Sequence, residues 1–461
     1  MRGHTHTHRG DSINMMLRER DSELKGFEAL MNGDRLPSWV IDRLREKRRR
    51  GTYVPVNYWE RMEARKPAIM RKLRYWINDA DEESKDTCGT FTQAWLTPEQ
   101  AKMSKDLARL LGTSRPDEWN MPSVSGIGVF RSNAAGPPVS VHGGAIATMF
   151  DTHLGQTNML NLTPGMTGSL TVHYRKRVPL TQCTVVALEA RVDRMEGRKI
   201  FLSGEMIDGS NGTILATCTG LWIRRREQQL GSDSSSKSTT KILELIQEIN
   251  SKPSILQRLR SSQIVPCRTN TGHHLILSKN SGWILDNARS KMPQSGPKLL
   301  KYMSDSNRLT IDYVWNSNLK QFIAVFAFSR QCMGPPCMTQ GGCLFACLDQ
   351  AITSFLYTRA ASDLGAKGGL CLTSKMTVNY RVPVPLESEY VVVVSMHDSI
   401  VDRKGRTRFK VQAKLYESSV SLLSSSKSLP IKGPCRTEGI AEFVQTNLPW
   451  PGQSLGTRSS L

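Results

Sequence analysis

Two segments of the sequence place an aspartate inside an apolar run that begins with two glycines. HGGAIATMFD occupies residues 142–151, and QGGCLFACLD occupies residues 340–349. An aspartate such as Asp151 or Asp349 is costly to bury in an apolar helix unless it is paired or has a chemical task. Burial raises the pKa of a carboxyl group and suits it to act as a general base. A structural core acid is the alternative, and the recurrence in two segments counts against it.

The glycines at the helix start need a separate explanation. In a helix interior glycine is less favourable than alanine by roughly 1 kcal/mol. Gly143 and Gly144 therefore indicate that another group must approach the backbone at this point. Tight packing of the helix against a sheet is the structural alternative.

These segments belong to a longer internal repeat. GPPVSVHGGAIATMFD begins at residue 136 and GPPCMTQGGCLFACLD at residue 334, an offset of 198 residues. Further on, TVHYRKRVPL from residue 171 matches TVNYRVPVPL from residue 377, an offset of 206 residues. An insertion between the two motifs accounts for the change of offset.

Each copy predicts the same order of elements. Gly-Pro-Pro predicts a loop, an apolar helix follows it, and segments rich in Val, Thr and Tyr then predict consecutive strands. This order predicts an α+β unit, an antiparallel sheet with one long helix, present twice. We predict a basic, partly helical extension (1–60), a first domain (61–227), a Ser-rich linker with a connecting helix (228–264), a more divergent second domain (265–436, with residues 421–431 as its last strand) and a tail (437–461).

Composition limits the class of protein and its partners. The ten cysteines lack zinc-site spacing, so we expect reduced thiols in an intracellular protein and no metal site. No apolar run reaches the ~18 residues of a membrane helix, so no membrane span is expected. The start is rich in Arg and His but also contains early acids, which leaves mitochondrial and cytoplasmic locations open. The net charge of +21 fits a solvated surface, a phosphate-bearing ligand or nucleic acid.

The order of motifs resembles the hot-dog fold, in which an antiparallel sheet wraps a central helix. More narrowly, it resembles the acyl-CoA thioesterases of the phenylacetate-pathway type and of the thioesterase superfamily, especially its member 4 and 5 type. The likeness rests on HGGAIATMFD, on MTGSLTVHYRKRVPL (166–180) and on DRMEGRKIF (193–201). It covers the first half well and the second half loosely.

The resemblance implies that two hot-dog domains pair and form composite sites at their interface. The tandem repeat then predicts that this chain supplies both members, as a double hot-dog. The spacing is consistent with this, because His142 and Asp151 are nine positions apart, which on a helix is about 900° of rotation and ~13.5 Å of rise. The two residues face opposite sides of the helix, so each needs a partner from another copy.

Thioester hydrolysis requires a stabilised oxyanion and an activated water or an attacking carboxylate. A helix N-terminus suits the first task, because its free N–H groups and its dipole favour negative charge. In the resembling family the acid is the base or nucleophile, and a hydroxyl group on the adjacent strand assists it. Carried over to this sequence, the first composite site contains His142, Gly143, Asp349 and Thr373.

The second composite site has glutamine in place of histidine. Glutamine can donate a hydrogen bond but does not titrate near neutral pH. We therefore expect the site with Asp349 to dominate. The second site contains Gln340, Gly341, Asp151 and Thr167.

Coenzyme A gives the positive charge a use, since it carries a 3′-phosphate and a pyrophosphate. Basic residues at strand ends and turns are the candidates to hold these groups. No cofactor other than the acyl-CoA substrate is expected. The predicted phosphate-binding residues are Arg175, Arg177, Arg198, Lys404 and Arg406.

Three other functions were weighed against hydrolysis. Hydration of enoyl-CoA resembles a different order of Asp and His, which is absent here. A degenerate double hot-dog that binds acyl-CoA or a protein without turnover stays open because of Gln340. Nucleic-acid binding rests on charge alone, without a stacking motif, and is disfavoured. Further self-association of double hot-dogs is compatible with the resemblance.

Overall fold

The structure is a computed structural model. It describes residues 37–49, 54–56, 94–96, 123–136, 140–160, 165–180, 183–224, 266–268, 274–276, 283–285, 309–316, 321–329, 332, 334, 338–357, 371–417 and 434–445. The predicted linker 228–264 and the predicted last strand 421–431 lie outside these residues.

The described elements follow the chain in two series. The first comprises α1 (Ser38–Arg49), β1 (Val54–Val56), β2 (Ala94–Leu96), β3 (Val124–Arg131), a 3₁₀ turn (Ser132–Ala134), α2 (Gly143–Leu160), β4 (Gly165–Tyr174), β5 (Cys183–Glu196), β6 (Lys199–Ile207) and β7 (Ile214–Arg224). The second comprises β8 (Pro266–Arg268), β9 (His274–Ile276), β10 (Trp283–Leu285), β11 (Leu309–Asn316), β12 (Gln321–Phe328), α3 (Gly341–Tyr357), β13 (Cys371–Tyr380), β14 (Glu389–Val401), β15 (Thr407–Glu417) and β16 (Thr437–Gln445).

One continuous antiparallel sheet spans both series. Within the described residues it has 14 strands in the order β1-β2-β3-β5-β6-β7-β4-β13-β16-β15-β14-β12-β11-β10. Each series contributes three strands to this sheet before its long helix and four strands after it. The order on one side of the β4–β13 pair mirrors the order on the other side. The two series therefore form two hot-dog domains that share a sheet, which confirms the predicted α+β class.

The core lies between the long helices and one face of this sheet. Alternate residues of β5, such as Val186 and Leu188, belong to the same buried apolar cluster as Phe150 of α2. In the second half, Phe345 of α3 and Val392 of β14 belong to that cluster as well. The period-2 pattern of the strands and the apolar helices thus build one core, as the sequence predicts.

The two long helices contact each other closely near their N-terminal ends. A Cβ on Gly144 would lie 2.7 Å from the Cα of Ala346, and a Cβ on Gly342 would lie 2.6 Å from the Cα of Thr148. The Thr148 hydroxyl donates to the carbonyl oxygens of Gly144 (2.8 Å) and Gly342 (3.0 Å). The second glycine of each pair therefore permits the crossing of the two helices, which is a packing role between helices rather than between helix and sheet.

Residues 37–49 and 54–56 contact the first half of the sheet or belong to it. Helix α1 packs on it, with Val40 fully buried and Arg43 paired with Glu189 of β5. The ring of Trp39 covers Gly209 in the β6–β7 turn, where an added Cβ would lie 2.3 Å from the ring. Strand β1 pairs with β2, so residues before 61 contribute to the sheet.

The predicted end of the second domain at residue 436 is wrong. Strand β16 (437–445) lies inside the sheet, between β13 and β15, in the segment predicted as a tail. Its sequence TEGIAEFVQ alternates only weakly between apolar and polar residues. The period-2 pattern is faint because Gly439 and Glu438 occupy buried positions, and sequence reasoning passed over this strand.

Candidate active site

Both long helices begin with a side chain that caps their own backbone. His142 precedes α2, and its Nδ1 accepts a hydrogen bond from the Gly144 N–H at 2.9 Å. Gln340 precedes α3, and its Oε1 accepts one from the Cys343 N–H at 2.8 Å. The first N–H groups of a helix have no partner in the helix itself, so a polar residue at this position satisfies one of them.

The structure brings the residues predicted for the first composite site together. We call this group, His142, Gly143, Asp349 and Thr373, the Asp349 site. Asp349 Oδ2 lies 3.6 Å from His142 Nδ1, and both side chains are only 3% exposed. The Thr373 hydroxyl donates to Asp349 Oδ1 at 3.3 Å. A Cβ on Gly143 would lie 3.1 Å from Asp349 Oδ2 and 3.3 Å from the Tyr174 hydroxyl oxygen, so glycine lets both groups approach the start of α2 closely.

Burial controls the protonation of Asp349. Desolvation raises the pKa of this carboxyl group, while the nearby His142 and hydrogen bonds from Thr373 and the Gly144 backbone oppose the rise. A carboxyl group with a raised pKa inside an apolar helix has the property required of a general base.

The second composite site is built from the equivalent elements, but its aspartate accepts shorter hydrogen bonds. We call this group, Gln340, Gly341, Asp151 and Thr167, the Asp151 site. Asp151 Oδ2 accepts hydrogen bonds from Gln340 Nε2 (2.9 Å) and the Gly342 N–H (3.0 Å), and Oδ1 accepts one from the Thr167 hydroxyl (2.8 Å). Desolvation raises the pKa of Asp151 to about 6, against the bonds from Thr167 and Gly342. Three good donors thus hold this carboxylate, whereas Asp349 has only longer contacts.

A β-bulge lies next to each of the two threonines. The register of β4 with β7 shifts between Thr167 and Ser169, and that of β13 with β16 shifts between Thr373 and Lys375. A bulge inserts one residue into a strand and re-aims the neighbouring side chain. The bulges are therefore the local device that turns both hydroxyl groups toward the aspartates.

The two strand tyrosines lie in the repeated strand motif, but the sequence alone did not predict a role for them at the sites. The Tyr174 hydroxyl donates to the Gly143 carbonyl at 3.0 Å, and the Tyr380 hydroxyl donates to the Gly341 carbonyl at 2.9 Å. Burial raises both pKa values well above the ordinary value, so both phenols remain protonated donors. Each tyrosine fixes the first residue of the helix of its own half beside the aspartate of the other half. The seven-residue spacing from threonine to tyrosine in each repeat was the available signal.

Sequence reasoning also missed two polar residues of α3. Gln350 Oε1 lies 3.3 Å from His142 Nε2, and Gln350 Nε2 donates to the Ser354 hydroxyl oxygen at 3.0 Å. Gln350 directly follows the predicted acid, and Ser354 lies one helical turn further on. No spacing rule in the sequence joins either residue to a histidine in the other half.

The basic residues predicted to bind phosphates occupy different surroundings. Arg175 is exposed and directly follows Tyr174, which places it at the strand end beside the start of α2. Arg177, Arg198 and Lys404 are also exposed. Arg406 instead donates to Asp402 at 3.0 Å, within the β14–β15 turn. Among these five residues, Arg175 is thus placed near the Asp349 site, because its neighbour Tyr174 is bonded to Gly143.

The described residues offer neither a candidate metal site nor a candidate membrane-spanning helix. They contain no group of three or more His, Cys, Asp or Glu side chains arranged to hold a metal ion. Among their helices, none combines the length and apolarity needed to cross a membrane.

Comparison with curated proteins finds relatives over a short stretch. The chain is 40% identical over 91 residues to acyl-coenzyme A thioesterase THEM4 of Bos taurus, which is 19% of this chain and 35% of that protein. It is 36% identical over 89 residues to the Xenopus laevis THEM4, covering 19% and 39% of the two chains. No protein-family model matches the chain.

Solved structures with a similar arrangement are distant in sequence. A hot dog fold protein of unknown function from Alicyclobacillus acidocaldarius has a TM-score of 0.40 and 11% identity, over 70% of this chain and 94% of that chain. The tesB protein of Mycobacterium avium subs paratuberculosis has a TM-score of 0.41 and 9% identity, over 74% and 99%. The strand order described above identifies the fold. In sequence, the chain is similar to acyl-coenzyme A thioesterases over a fifth of its own length and spans little more than a third of the curated relatives that it matches.

Proposed function

We propose that the protein hydrolyses acyl-CoA thioesters to a free acid and CoA, mainly at the Asp349 site. One observation carries this proposal: a buried histidine at a helix start in one half faces a buried aspartate and a threonine from the other half. His142, Asp349 and Thr373 meet beside Gly143, which has no side chain of its own to block the start of α2. The sequence similarity to acyl-coenzyme A thioesterases is consistent with this chemistry.

The reaction in this proposal takes place at the start of α2, beside Gly143. The thioester carbonyl lies at the start of α2, where the Gly143 N–H and the helix dipole stabilise negative charge on its oxygen. Asp349 takes a proton from water while the water oxygen bonds to the carbonyl carbon. The C–S bond then breaks and the proton passes from Asp349 to the leaving thiolate. Thr373 orients the carboxylate through its hydrogen bond.

The Asp151 site serves turnover less well in this proposal. Its carboxylate already accepts three short hydrogen bonds, one of them from the Gly342 N–H at the helix start. These donors occupy lone pairs of Asp151, whereas Asp349 has a 3.3 Å bond from Thr373 and a 3.6 Å approach to His142, which leaves it more capacity to accept a proton from water. The site is therefore a place for acyl-CoA binding without turnover, which is the second candidate function for that half of the molecule.

The phosphates of CoA find their positive partner at Arg175 in this proposal. The equivalent residue of the second half, Arg381, is paired with Glu438. In the first half Thr217 occupies the position of Glu438, because His173 pairs with Thr217 where Asn379 pairs with Glu438. Arg175 thus lacks that carboxylate and is available to an anion next to the Asp349 site.

The state of the cysteines bears on the compartment of the protein. The cysteines whose side chains the structure describes are free thiols, which supports a reducing compartment inside the cell. Self-association of two double hot-dogs stays a prediction that light scattering on the full chain would check.

The decisive experiment compares two isosteric variants. Release of CoA thiol is measured from short, aryl and long-chain acyl-CoAs with the wild type, Asp349→Asn and Asp151→Asn. We expect Asp349→Asn to lower kcat by about 10² to 10⁴, the usual contribution of a general base, and Asp151→Asn to change it little. Loss of turnover in Asp151→Asn alone would reverse the ranking of the sites. A folded wild type that binds acyl-CoA without hydrolysing any member of the series would refute the enzyme and support the binding role.

A further inference from the structure

The ring of His142 is fixed by contacts on both of its nitrogen atoms. The Gly144 N–H donates to Nδ1 at 2.9 Å. A backbone N–H can only donate, so Nδ1 must carry a lone pair, and the proton of the neutral ring must sit on Nε2. In its present position the ring is therefore compatible only with the Nε2–H tautomer.

This assignment sets the direction of the next two hydrogen bonds. Nε2–H donates to Gln350 Oε1 at 3.3 Å, so the amide oxygen of Gln350 faces the ring. Its Nε2 is then directed at the Ser354 hydroxyl oxygen, 3.0 Å away. His142, Gln350 and Ser354 are 3%, 4% and 0% exposed, so water does not compete for these groups. The amide orientation follows from the chain of donors and acceptors alone.

The tautomer determines what the ring presents to Asp349. Nδ1 lies 3.6 Å from Asp349 Oδ2 as well as 2.9 Å from the Gly144 nitrogen. If the proton moved to Nδ1, two N–H groups would face each other at the start of α2, and the ring would leave this position. The position of the His142 ring beside the Asp349 carboxylate therefore depends on which ring nitrogen carries the proton.

The equivalent positions on the other long helix, α2, provide an internal comparison. The residues that correspond to Gln350 and Ser354 at the offset of 198 are Thr152 and Gln156. The cap of the opposite helix, α3, is Gln340, an amide without tautomers, which is held by Cys343 and Asp151. The Gln–Ser pair therefore occurs in the half that faces a histidine, and a different pair occurs in the half that faces a glutamine.

We propose that Gln350 and Ser354 are positioning residues that hold His142 as its Nε2–H tautomer for the Asp349 site. The inference rests on the proposed function for its catalytic consequence, but the tautomer itself can be observed in the absence of turnover. Neither residue touches the reacting atoms. Gln350 acts through the ring, and Ser354 acts by fixing the amide of Gln350.

The test combines histidine NMR with kinetics on the full chain. Long-range ¹H–¹⁵N correlations on ¹⁵N-histidine-labelled protein distinguish the two tautomers. The His142→Gln variant identifies the His142 signal among the nine histidines, and glutamine is chosen because Gln340 caps α3 at the equivalent position. Gln350→Met removes the acceptor at similar volume, Gln350→Glu keeps an acceptor, and Thr152→Ala is the matched control on the other helix.

We expect the wild type to show the Nε2–H pattern and Gln350→Met to lose it, with Gln350→Glu restoring it at alkaline pH. Ser354→Ala should weaken the pattern, because the Gln350 amide can then turn over. In turnover, Gln350→Met should lower kcat about tenfold with little change of KM, and Gln350→Glu should shift the pH profile, since a carboxylate favours the doubly protonated ring. An Nδ1–H pattern in the wild type, or an unchanged pattern in a folded Gln350→Met, would overturn the proposal. If the wild type shows the Nε2–H pattern but hydrolyses no acyl-CoA, the proposed function fails and the positioning role stands.

Discussion

The hydroxyl groups of Thr171 and Thr377 lie 3.0 Å apart, and the two residues face each other in the β4–β13 pair. They are also equivalent in the repeat, since 377 minus 171 equals the offset of 206. A residue that meets its own equivalent marks a local two-fold axis. The two halves are therefore related as the subunits of a symmetric dimer are, and the composite sites lie on either side of this axis.

Substitution at the axis should show coupling between the halves. Thr171→Val removes one partner of a half-buried hydrogen bond and should lower the free energy of unfolding by about 1 kcal/mol. The double variant Thr171→Val with Thr377→Val should recover part of this loss, because two apolar groups of the same shape leave no polar group unpaired. Urea denaturation of the four proteins of the cycle measures the coupling. Additive losses would mean that the hydroxyl groups do not interact.

The two kinds of helical glycine should respond oppositely to alanine. A Cβ on Gly144 would lie 2.6 Å from the Cβ of Ala346, so Gly144→Ala should cost about 2 kcal/mol or more. A Cβ on Gly155, later in the same helix, meets no atom within 4 Å, so Gly155→Ala should raise the free energy of unfolding by about 0.5–1 kcal/mol. Thermal unfolding of the pair checks the signs. A stabilising Gly144→Ala would contradict the helix crossing.

The raised pKa of Asp151 predicts a particular pH dependence of stability. The folded state binds this proton more tightly than the unfolded state, with a pKa of about 6 against 3.8. The stabilisation is therefore fully present below about pH 4 and is lost as the pH rises through about 6, a change of about 3 kcal/mol at ~1.4 kcal/mol per pKa unit. Asp349 acts in the same direction.

Asp151→Asn isolates this effect, because its amide oxygen can accept from Gln340 and Gly342 and its amide nitrogen can donate to Thr167. Chemical denaturation at about pH 5 and about pH 7.5 should show a smaller loss of stability for the variant than for the wild type. Equal losses in the two proteins would show that Asp151 does not titrate in this range.

Binding of coenzyme A should distinguish two equivalent arginines. Arg175→Ala removes the arginine next to the Asp349 site, and we expect CoA to bind about tenfold more weakly, the effect of one charge-assisted phosphate contact. Arg381→Ala is the matched control, because that guanidinium is engaged by Glu438. Isothermal titration with CoA and with dephospho-CoA measures both variants. Equal losses for the two substitutions would remove Arg175 from the phosphate site.

The sequence alone yields the fold because the repeat supplies a second, independent copy of each signal. The consecutive strands predicted after the second apolar helix are present as β13, β14 and β15. The helix starts at Gly143 and Gly341 also agree with the structure. Strand β16 escaped prediction because glycine and glutamate occupy its buried positions, where neighbouring strands rather than its own pattern determine its place.

Only some residues of the candidate site could be predicted from the sequence, for a different reason. His142 and Asp349 could be paired from the sequence, because the helix spacing forbids His142 from sharing a site with the aspartate of its own helix. Gln350 could not, since its partner is a ring 208 residues away and its role depends on the direction of a hydrogen bond. Tyr174 lies between these cases, as a residue of a visible motif whose hydroxyl acts on a backbone carbonyl.

The antiparallel pairing of β4 with β13 within one polypeptide has a consequence for dilution. Two separate subunits that share a site lose it when their concentration falls below their dissociation constant. Here each half meets its partner at the effective concentration of a tethered domain, which does not depend on how many molecules are present. The rate per molecule should therefore stay constant at enzyme concentrations at which a two-chain assembly would come apart.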